Sequence, residues 1–247
     1  MTVLDGRQRG DLLDCGAEIS RTEDTLRRLG QAYGAEKTDV FVIPSIISIT
    51  IAFPGREVLT ETRRIRSNGS TDFYRLEKLN ALSRDCCATP LPVQELRARL
   101  DRVAAGKKPR SVVYWGSLLA AGGFAVLFGG TLYDAFAAAA FALLICVLQE
   151  KLGGTELNQV AANLMISLLV GLGVGALTMA LPALHMDKIL IGDIMLLIPG
   201  LAMTNAVRNM LVGDTISGVV RLSECLIWAG ALAGGFMVAM LALKMVG

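Results

Sequence analysis

The sequence predicts an α-helical membrane protein, with about five transmembrane helices preceded by a small α+β cytoplasmic domain. Three observations carry this reading. Charge is divided unevenly: residues 1–110 hold 19 Lys/Arg and 15 Asp/Glu, against 5 and 7 in residues 111–247. The second part contains apolar runs of bilayer length, which is about 20 residues for a helix. It also holds 18 of the 26 glycines, as helices packed closely in lipid require. Over all 247 residues, hydrophobic types make up 53% and charged types 19%. A soluble domain carries about 25% charged residues, so a single soluble domain is excluded, and so is disorder. The chain divides into a cytoplasmic α+β domain over 1–110 and a transmembrane domain over 111–247.

Residues 8–33 read as a helix, because Leu12, Leu13, Ile19, Leu26 and Leu29 recur at helical spacing and Gly34 suits a stop. Thr38 to Phe53 is rich in Val, Ile, Ser and Thr. With the turn Pro54-Gly55-Arg56-Glu57 and the run Val58 to Ile65, it predicts a β-hairpin. Ser67-Asn68-Gly69-Ser70 is a loop. A helix over 71–86 follows, with Phe73, Leu76, Leu79 and Leu82 in register, and Pro90 and Pro92 punctuate before a helix over 93–105. The predicted order is α-β-β-α-α.

From Val112 to Leu148 only Asp134 is charged. That run is too long for one span, so it must turn near Gly129-Gly130-Thr131. Leu157 to Leu184 carries no charge and supplies a third span. A fourth is interrupted by Asp193 and by Pro199-Gly200, and a fifth has Arg221 and Glu224 near its start. The expected spans are about 112–130, 132–150, 158–182, 189–211 and 215–244. Lys107, Lys108, Arg110, Lys151 and Arg208 fall on one side, against His185, Lys188 and Lys244 on the other. Excess basic charge faces the cytoplasm, which places the N-terminal domain there and the C-terminus outside. Gly171-x-Gly173-x-Gly175 and the pair Gly230 and Gly234 are small-residue patterns for close helix packing.

Several function classes are excluded. Cys15, Cys86, Cys87, Cys146 and Cys225 form no C-x-x-C pair and no disulfide framework, and each reads as a small buried hydrophobe. His185 is the single histidine, so no zinc site is in view. The first residues lack the apolar core of a signal peptide. No nucleophile–base pair or phosphate loop stands out. No enzyme activity, metal, cofactor or nucleic-acid partner is expected.

The polar residues of the apolar part carry the functional reading. Proline removes a backbone donor, so Pro199-Gly200 breaks the fourth span and exposes half-helix amides suited to a carboxylate. Thr204, Asn205 and Arg208 follow on one helical face. With Gly200 they are the candidate substrate-binding residues. Asp193, Asp214 and Glu224 are candidates for proton coupling, with Arg221, Ser217 and Asn163 as further polar candidates. The alternative for Arg208, Asp214 and Arg221 is a set of interfacial ion pairs. Asn163 is expected to make an interhelical hydrogen bond, and Glu150-Lys151 with Glu156 a solvated loop. In the N-terminal part, Glu18, Arg21 and Glu23 form either an ordinary salt-bridged helix face or a further site.

The stretch Pro199-Gly200-Leu201-Ala202-Met203-Thr204-Asn205-Ala206-Val207-Arg208, then Gly213-Asp214-Thr215-Ile216-Ser217-Gly218 and Arg221, resembles the signature of the threonine/serine exporter (ThrE-type) family. Gly16-Ala17-Glu18 with Arg21 and Glu23 resembles that family's N-terminal segment. The resemblance covers nearly the whole chain. It implies a secondary exporter driven by the proton gradient, for threonine, serine or, in a split relative, succinate. Long members have about ten spans in two unlike halves, and split members carry the second half on a separate protein. The chain resembles the first half, which implies a second membrane subunit of about five spans as partner, or else a homo-oligomer. One departure is Asn209, where relatives carry Asp. The expectation is therefore a subunit of an exporter for small carboxylate-bearing metabolites in the bacterial inner membrane. The competing reading is a non-transporting membrane scaffold whose cytoplasmic domain binds a partner.

Overall fold

Alternation of buried and exposed residues builds a small antiparallel sheet from β1 (Lys37–Ile43), β2 (Ile46–Ala52) and β3 (Leu59–Arg64), in the order β1-β2-β3. The structure is a computed structural model, and it describes residues 19–43, 45–64, 72–106, 109–152 and 158–246. Val40 faces Ile49 and Val42 faces Ile47 across the first pair, and all four are buried. The expected hairpin is thus a three-stranded meander. The run from Thr38 to Phe53 folds back on itself, with Ile43 opposite Ile46. The described strands end at Ile43 and restart at Ile46, and the sequence between them holds a proline, which has no N–H to give a ladder. Ser48 with Thr62 and Thr50 with Thr60 then pair their hydroxyls across β2 and β3, at 2.8 and 2.9 Å.

Helix α1 (Ile19–Ala32) covers this sheet. Thr22, Leu26 and Gly30 recur every four residues along its buried face. Leu26 enters one cluster with Val40, Val42, Ile47 and Ile49. The described helix begins at Ile19, so the expected stretch 8–18 lies outside the described residues. Helix α2 (Phe73–Ala88) starts at Asp72, whose carboxylate accepts the Arg75 N–H at 3.1 Å as an N-cap. Helix α3 (Val93–Ala105) follows Pro92. Leu82, Cys86 and Leu96 close a second small core, and the Tyr33 hydroxyl donates to the Leu91 carbonyl at 2.8 Å. Burial, with the adjacent Cys87, pushes the Cys86 thiol up, which suits a packing residue and not a nucleophile.

The remaining helices are α4 (Arg110–Leu127), α5 (Leu132–Leu152), α6 (Gln159–Ala180), α7 (Met186–Leu197), α8 (Gly200–Leu211) and α9 (Thr215–Val246). Helices α4, α5, α6 and α9 are each long and apolar enough to cross a membrane, and α7 with α8 passes the same test as one broken span. The chain is mostly helical, with four or five candidate spans after the small sheet. It groups into two compact units. One contains residues 1–107 and 201–222, the other residues 108–200 and 223–247.

The second unit packs on small residues. Ala121, Ala125, Ala138 and Ala142 are fully buried and sit in one core with Ile145, Ile166, Val170 and Ile189. Lipid tails are as apolar as leucine, so close backbone approach supplies the attraction between such helices. Gly171 meets Ala239 and Phe236, and Gly173 meets Phe141, as the spacing predicts. Gly230 and Gly234 do not pack in this way: a methyl group on either would meet nothing within 4 Å. The close contact on α9 is made by Gly235, where a methyl would lie 2.6 Å from the Leu164 carbonyl oxygen. Glu150 and Lys151 are helical and not a loop. Glu150 pairs with Arg110 at 2.6 Å and accepts from the Tyr114 hydroxyl at 3.2 Å, tying the start of α4 to the end of α5. Glu156 lies outside the described residues.

Candidate functional site

Helix α7 presents Ile189, Asp193 and Leu197 at four-residue spacing on its buried face. What lets this face enter the core is Gly192. A methyl group there would lie 2.5 Å from the Ala121 carbonyl oxygen and 3.3 Å from the methyls of Ala125 and Ala138. Asp193 is consequently fully buried. Among the described residues, neither of its carboxylate oxygens has a hydrogen-bond partner. Buried polar groups are almost always paired, so this carboxyl is the most unusual polar group of the second unit.

Five residues further on the helix ends. Ile198 has φ −65° and ψ 130°, an extended backbone, and its N–H closes the last turn on the Ile194 carbonyl at 3.0 Å. Pro199 can donate nothing to a continuing helix. Helix α8 restarts at Gly200, which is exposed, and a methyl there would meet nothing within 4 Å. Along α8, Thr204 and Arg208 are exposed, Asn205 is half-buried, and the buried positions are Ala206 and Asn209. The face shared by Thr204, Asn205 and Arg208 is therefore the more accessible one. Asn209, which stands out in the sequence only as a departure from a pattern, lies on the buried one.

Gly213, with φ 100°, makes the reversal between α8 and α9 in a left-handed conformation that favours glycine. The Asp214 N–H donates to the Asn209 carbonyl at 2.9 Å, and the Asp214 carbonyl accepts the Gly218 N–H at 3.0 Å. Gly218 lets α9 lie against α8, since a methyl there would sit 2.7 Å from the Ala206 carbonyl oxygen. Ser217 beside it is buried, whereas Asp214, Arg221 and Glu224 are half-buried.

Two further candidates resolve into local roles. Asn163 is buried, and its side-chain oxygen accepts from Gln159 Nε2 at 3.0 Å. That hydrogen bond lies within α6, so the expected interhelical bond is replaced by one to the previous turn. Glu23 accepts the N–H of Val42 at 3.1 Å and so satisfies a donor of the edge strand β1. Burial, together with the negative charge of Asp214, lifts the Glu23 carboxyl above its usual range, against the Val42 N–H and the Arg27 charge. Glu23 and Asp214, from the two stretches that carry the resemblance, thus feel each other within one unit. Arg21 is exposed on α1. Glu18 lies outside the described residues.

Sequence reasoning missed one cluster altogether. Asp134 is fully buried at the start of α5, yet four donors surround it. Its Oδ2 accepts the Thr131 N–H at 2.7 Å and the Thr131 hydroxyl at 2.8 Å, while its own N–H donates to Thr131 Oγ1 at 3.3 Å. Oδ1 accepts the His185 N–H at 2.7 Å, and Oδ2 lies 3.0 Å from His185 Nδ1. The Thr131-x-x-Asp134 spacing, an N-cap pattern, was the available signal. Among the described residues no group of three or more His, Cys, Asp or Glu is arranged to hold a metal ion.

Apolar helices of bilayer length, a span broken at proline and a buried carboxyl beside the break define a multi-pass membrane protein. The model of the threonine/serine exporter (ThrE) family matches residues 10–243, and the chain belongs to that family, one of membrane exporters of the threonine/serine type. No curated protein and no solved structure matches the chain.

Proposed function

We propose that the chain is a subunit of a proton-driven secondary exporter for small carboxylate-bearing metabolites, either threonine/serine-type amino acids or a dicarboxylate such as succinate. The observation that carries this reading is Asp193, fully buried and without a hydrogen-bond partner among the described residues. An ionised carboxyl in an apolar core without donors costs several kcal/mol. Such a group is retained in a membrane helix where it carries a proton or meets a cation during the working cycle. Its place on α7, five residues before the break at Ile198 and Pro199, supports a proton-coupling role. Asp214 and Glu224 are the secondary candidates for that role.

In this reading the substrate carboxylate is held after the break, by the start of α8 near Gly200 and by Thr204, Asn205 and Arg208. Arginine fits because its planar fork grips a carboxylate with two parallel hydrogen bonds. Ser217 and Arg221 border the same stretch. The partner is a second-half membrane subunit of about five spans, with a homo-oligomer as the other arrangement. The membrane is the bacterial inner membrane, and the basic flank of the first span directs the N-terminal domain to the cytoplasm.

The test is efflux of radiolabelled threonine, serine or succinate from vesicles holding the chain with its neighbouring-gene partner, with and without a pH gradient. Gradient-dependent efflux that Asp193→Asn uncouples is the expected result. Undiminished, gradient-dependent efflux from Asp193→Asn would remove the coupling role.

A further inference from the structure

The Asp134–His185 cluster is built with more hydrogen bonds than capping a helix requires. Thr131 and Asp134 satisfy each other's N–H groups at the start of α5, which is the reciprocal capping-box arrangement. The same carboxylate then reaches across the unit to His185, the residue that opens α7. There it accepts both the backbone N–H, at 2.7 Å, and the ring nitrogen Nδ1, at 3.0 Å. One buried carboxylate therefore fastens the first turns of two membrane helices to each other. Asp134 is fully enclosed, whereas the His185 side chain keeps 56% of its surface exposed.

We propose that His185, oriented by Asp134, is a second protonation site of the membrane unit, and that proton uptake there tightens a latch between the starts of α5 and α7. Hydrogen bonding to the carboxylate sets which ring nitrogen bears the proton and leaves Nε2 as the acceptor. When Nε2 takes a proton, the neutral hydrogen bond becomes an ion pair with a buried partner. When it loses that proton, a charged carboxylate remains with neutral donors alone. The latch is accordingly firmer at acidic pH and looser as pH rises.

Charges close to the pair in the fold include Lys188, whose Cβ lies against Gly130, Lys244 in the last turn of α9, where Leu243 and Met186 both border Gly175, and Asp193 two turns along α7. Asp187 and Lys188, on the first turn of α7, neutralise each other at 2.9 Å. Helix α6 carries no charged residue, and α4 carries only Arg110, which is paired with Glu150. On α5 the remaining charges, Glu150 and Lys151, lie in the last turn. This inference is independent of the coupling role assigned to Asp193.

Hydrogen–deuterium exchange of the full chain in lipid nanodiscs tests it, read on the peptides containing Thr131 and His185. After correction for intrinsic exchange, protection of these amides is expected to fall about fivefold from acidic to neutral pH. His185→Asn places a side-chain amide where Nδ1–H lies but never becomes charged, so its protection should not change with pH. Equal protection at both pH values in the unmodified chain overturns the proposal, as does the same fall in His185→Asn. A further measurement needs no variant. The chain has one histidine, so a 15N-imidazole titration is assigned without ambiguity. Its midpoint must coincide with the fall in protection, and a fall at a different pH also overturns the latch.

Discussion

Gly192 lies against the backbone of Ala121 so closely that a methyl group on it would stand 2.5 Å from the Ala121 carbonyl oxygen. This contact joins α7 to α4 one residue before Asp193, and it is the reason the carboxyl of a membrane helix comes to lie at zero exposure. The depth of Asp193 is thus a consequence of a missing side chain on its neighbour.

Gly192→Ala should therefore destabilise the membrane unit, by about 1–3 kcal/mol for overpacking against backbone that cannot yield. Gly230→Ala is the control: a methyl there meets nothing within 4 Å, and alanine is the better helix former. A thermal scan in detergent with a thiol-reactive dye reads both, because Cys86, Cys146 and Cys225 are free and buried until the fold opens. A Gly192→Ala melting point equal to that of Gly230→Ala would contradict the contact.

Asp193 should show a trade between stability and function. Removing a buried polar group that has no partner relieves a penalty of about 1–3 kcal/mol, so Asp193→Val should melt higher than the unmodified chain. The same variant should lose the response of efflux to an imposed pH gradient. A lower melting point would indicate a partner for this carboxyl, and would weaken the coupling argument with it.

On α8, Arg208→Ala and Asn205→Ala should abolish efflux while the protein still inserts and accumulates. Arg208→Lys should recover only part of the rate, because lysine keeps the charge and loses the fork. The measurement is uptake-loaded vesicle efflux normalised to protein content. Full activity in well-accumulated Arg208→Ala would return Arg208 to the role of an interfacial charge.

Glu23 gives a pH prediction with a defined sign. Its carboxyl is raised in the fold, by burial and by Asp214, relative to an unfolded chain near 4.3. Its contribution to stability is present below the unfolded value and is lost as pH rises through the folded one. Glu23→Gln keeps an acceptor for the Val42 N–H and cannot ionise. The melting point of Glu23→Gln relative to the unmodified chain should therefore rise as pH is taken from acidic to neutral. A difference that stays constant across the pH series would place Glu23 in an ordinary solvated setting.

Topology can be read at the β2–β3 turn, where Glu57 is exposed. In a background with the native cysteines replaced, Glu57→Cys should react with an impermeant thiol reagent in inside-out vesicles and stay unreacted in intact cells. Labelling in intact cells would reverse the orientation.

Features that depend on neighbours along the chain are legible in the sequence by itself. The helix after Pro92, the presence of several apolar helices of bilayer length and the end of the helix before Pro199 each follow from periodicity, length and proline. Each is decided within about one or two helical turns, by propensity, by a missing N–H or by the length that a bilayer demands. The exception is the reversal between Ile43 and Ile46, which the Val and Ile on either side hide.

Tertiary structure alone decided which polar groups are paired and which glycines matter. Asp134 finds His185 across 51 residues, and Glu150 finds Arg110 and Tyr114 from the far end of its own helix. Asp193 and Asp134 look alike in the sequence, each an acid in an apolar run, yet one has four donors and the other none among the described residues. Gly230 and Gly234 have the spacing for close packing, but Gly235 makes the contact. The physical reason is common to all of these. A hydrogen bond or a backbone contact depends on atoms within a few ångströms, and in a helical bundle those atoms come from helices that are far apart in the chain. Local pattern fixes the helices, and only their packing fixes what each buried carboxyl meets.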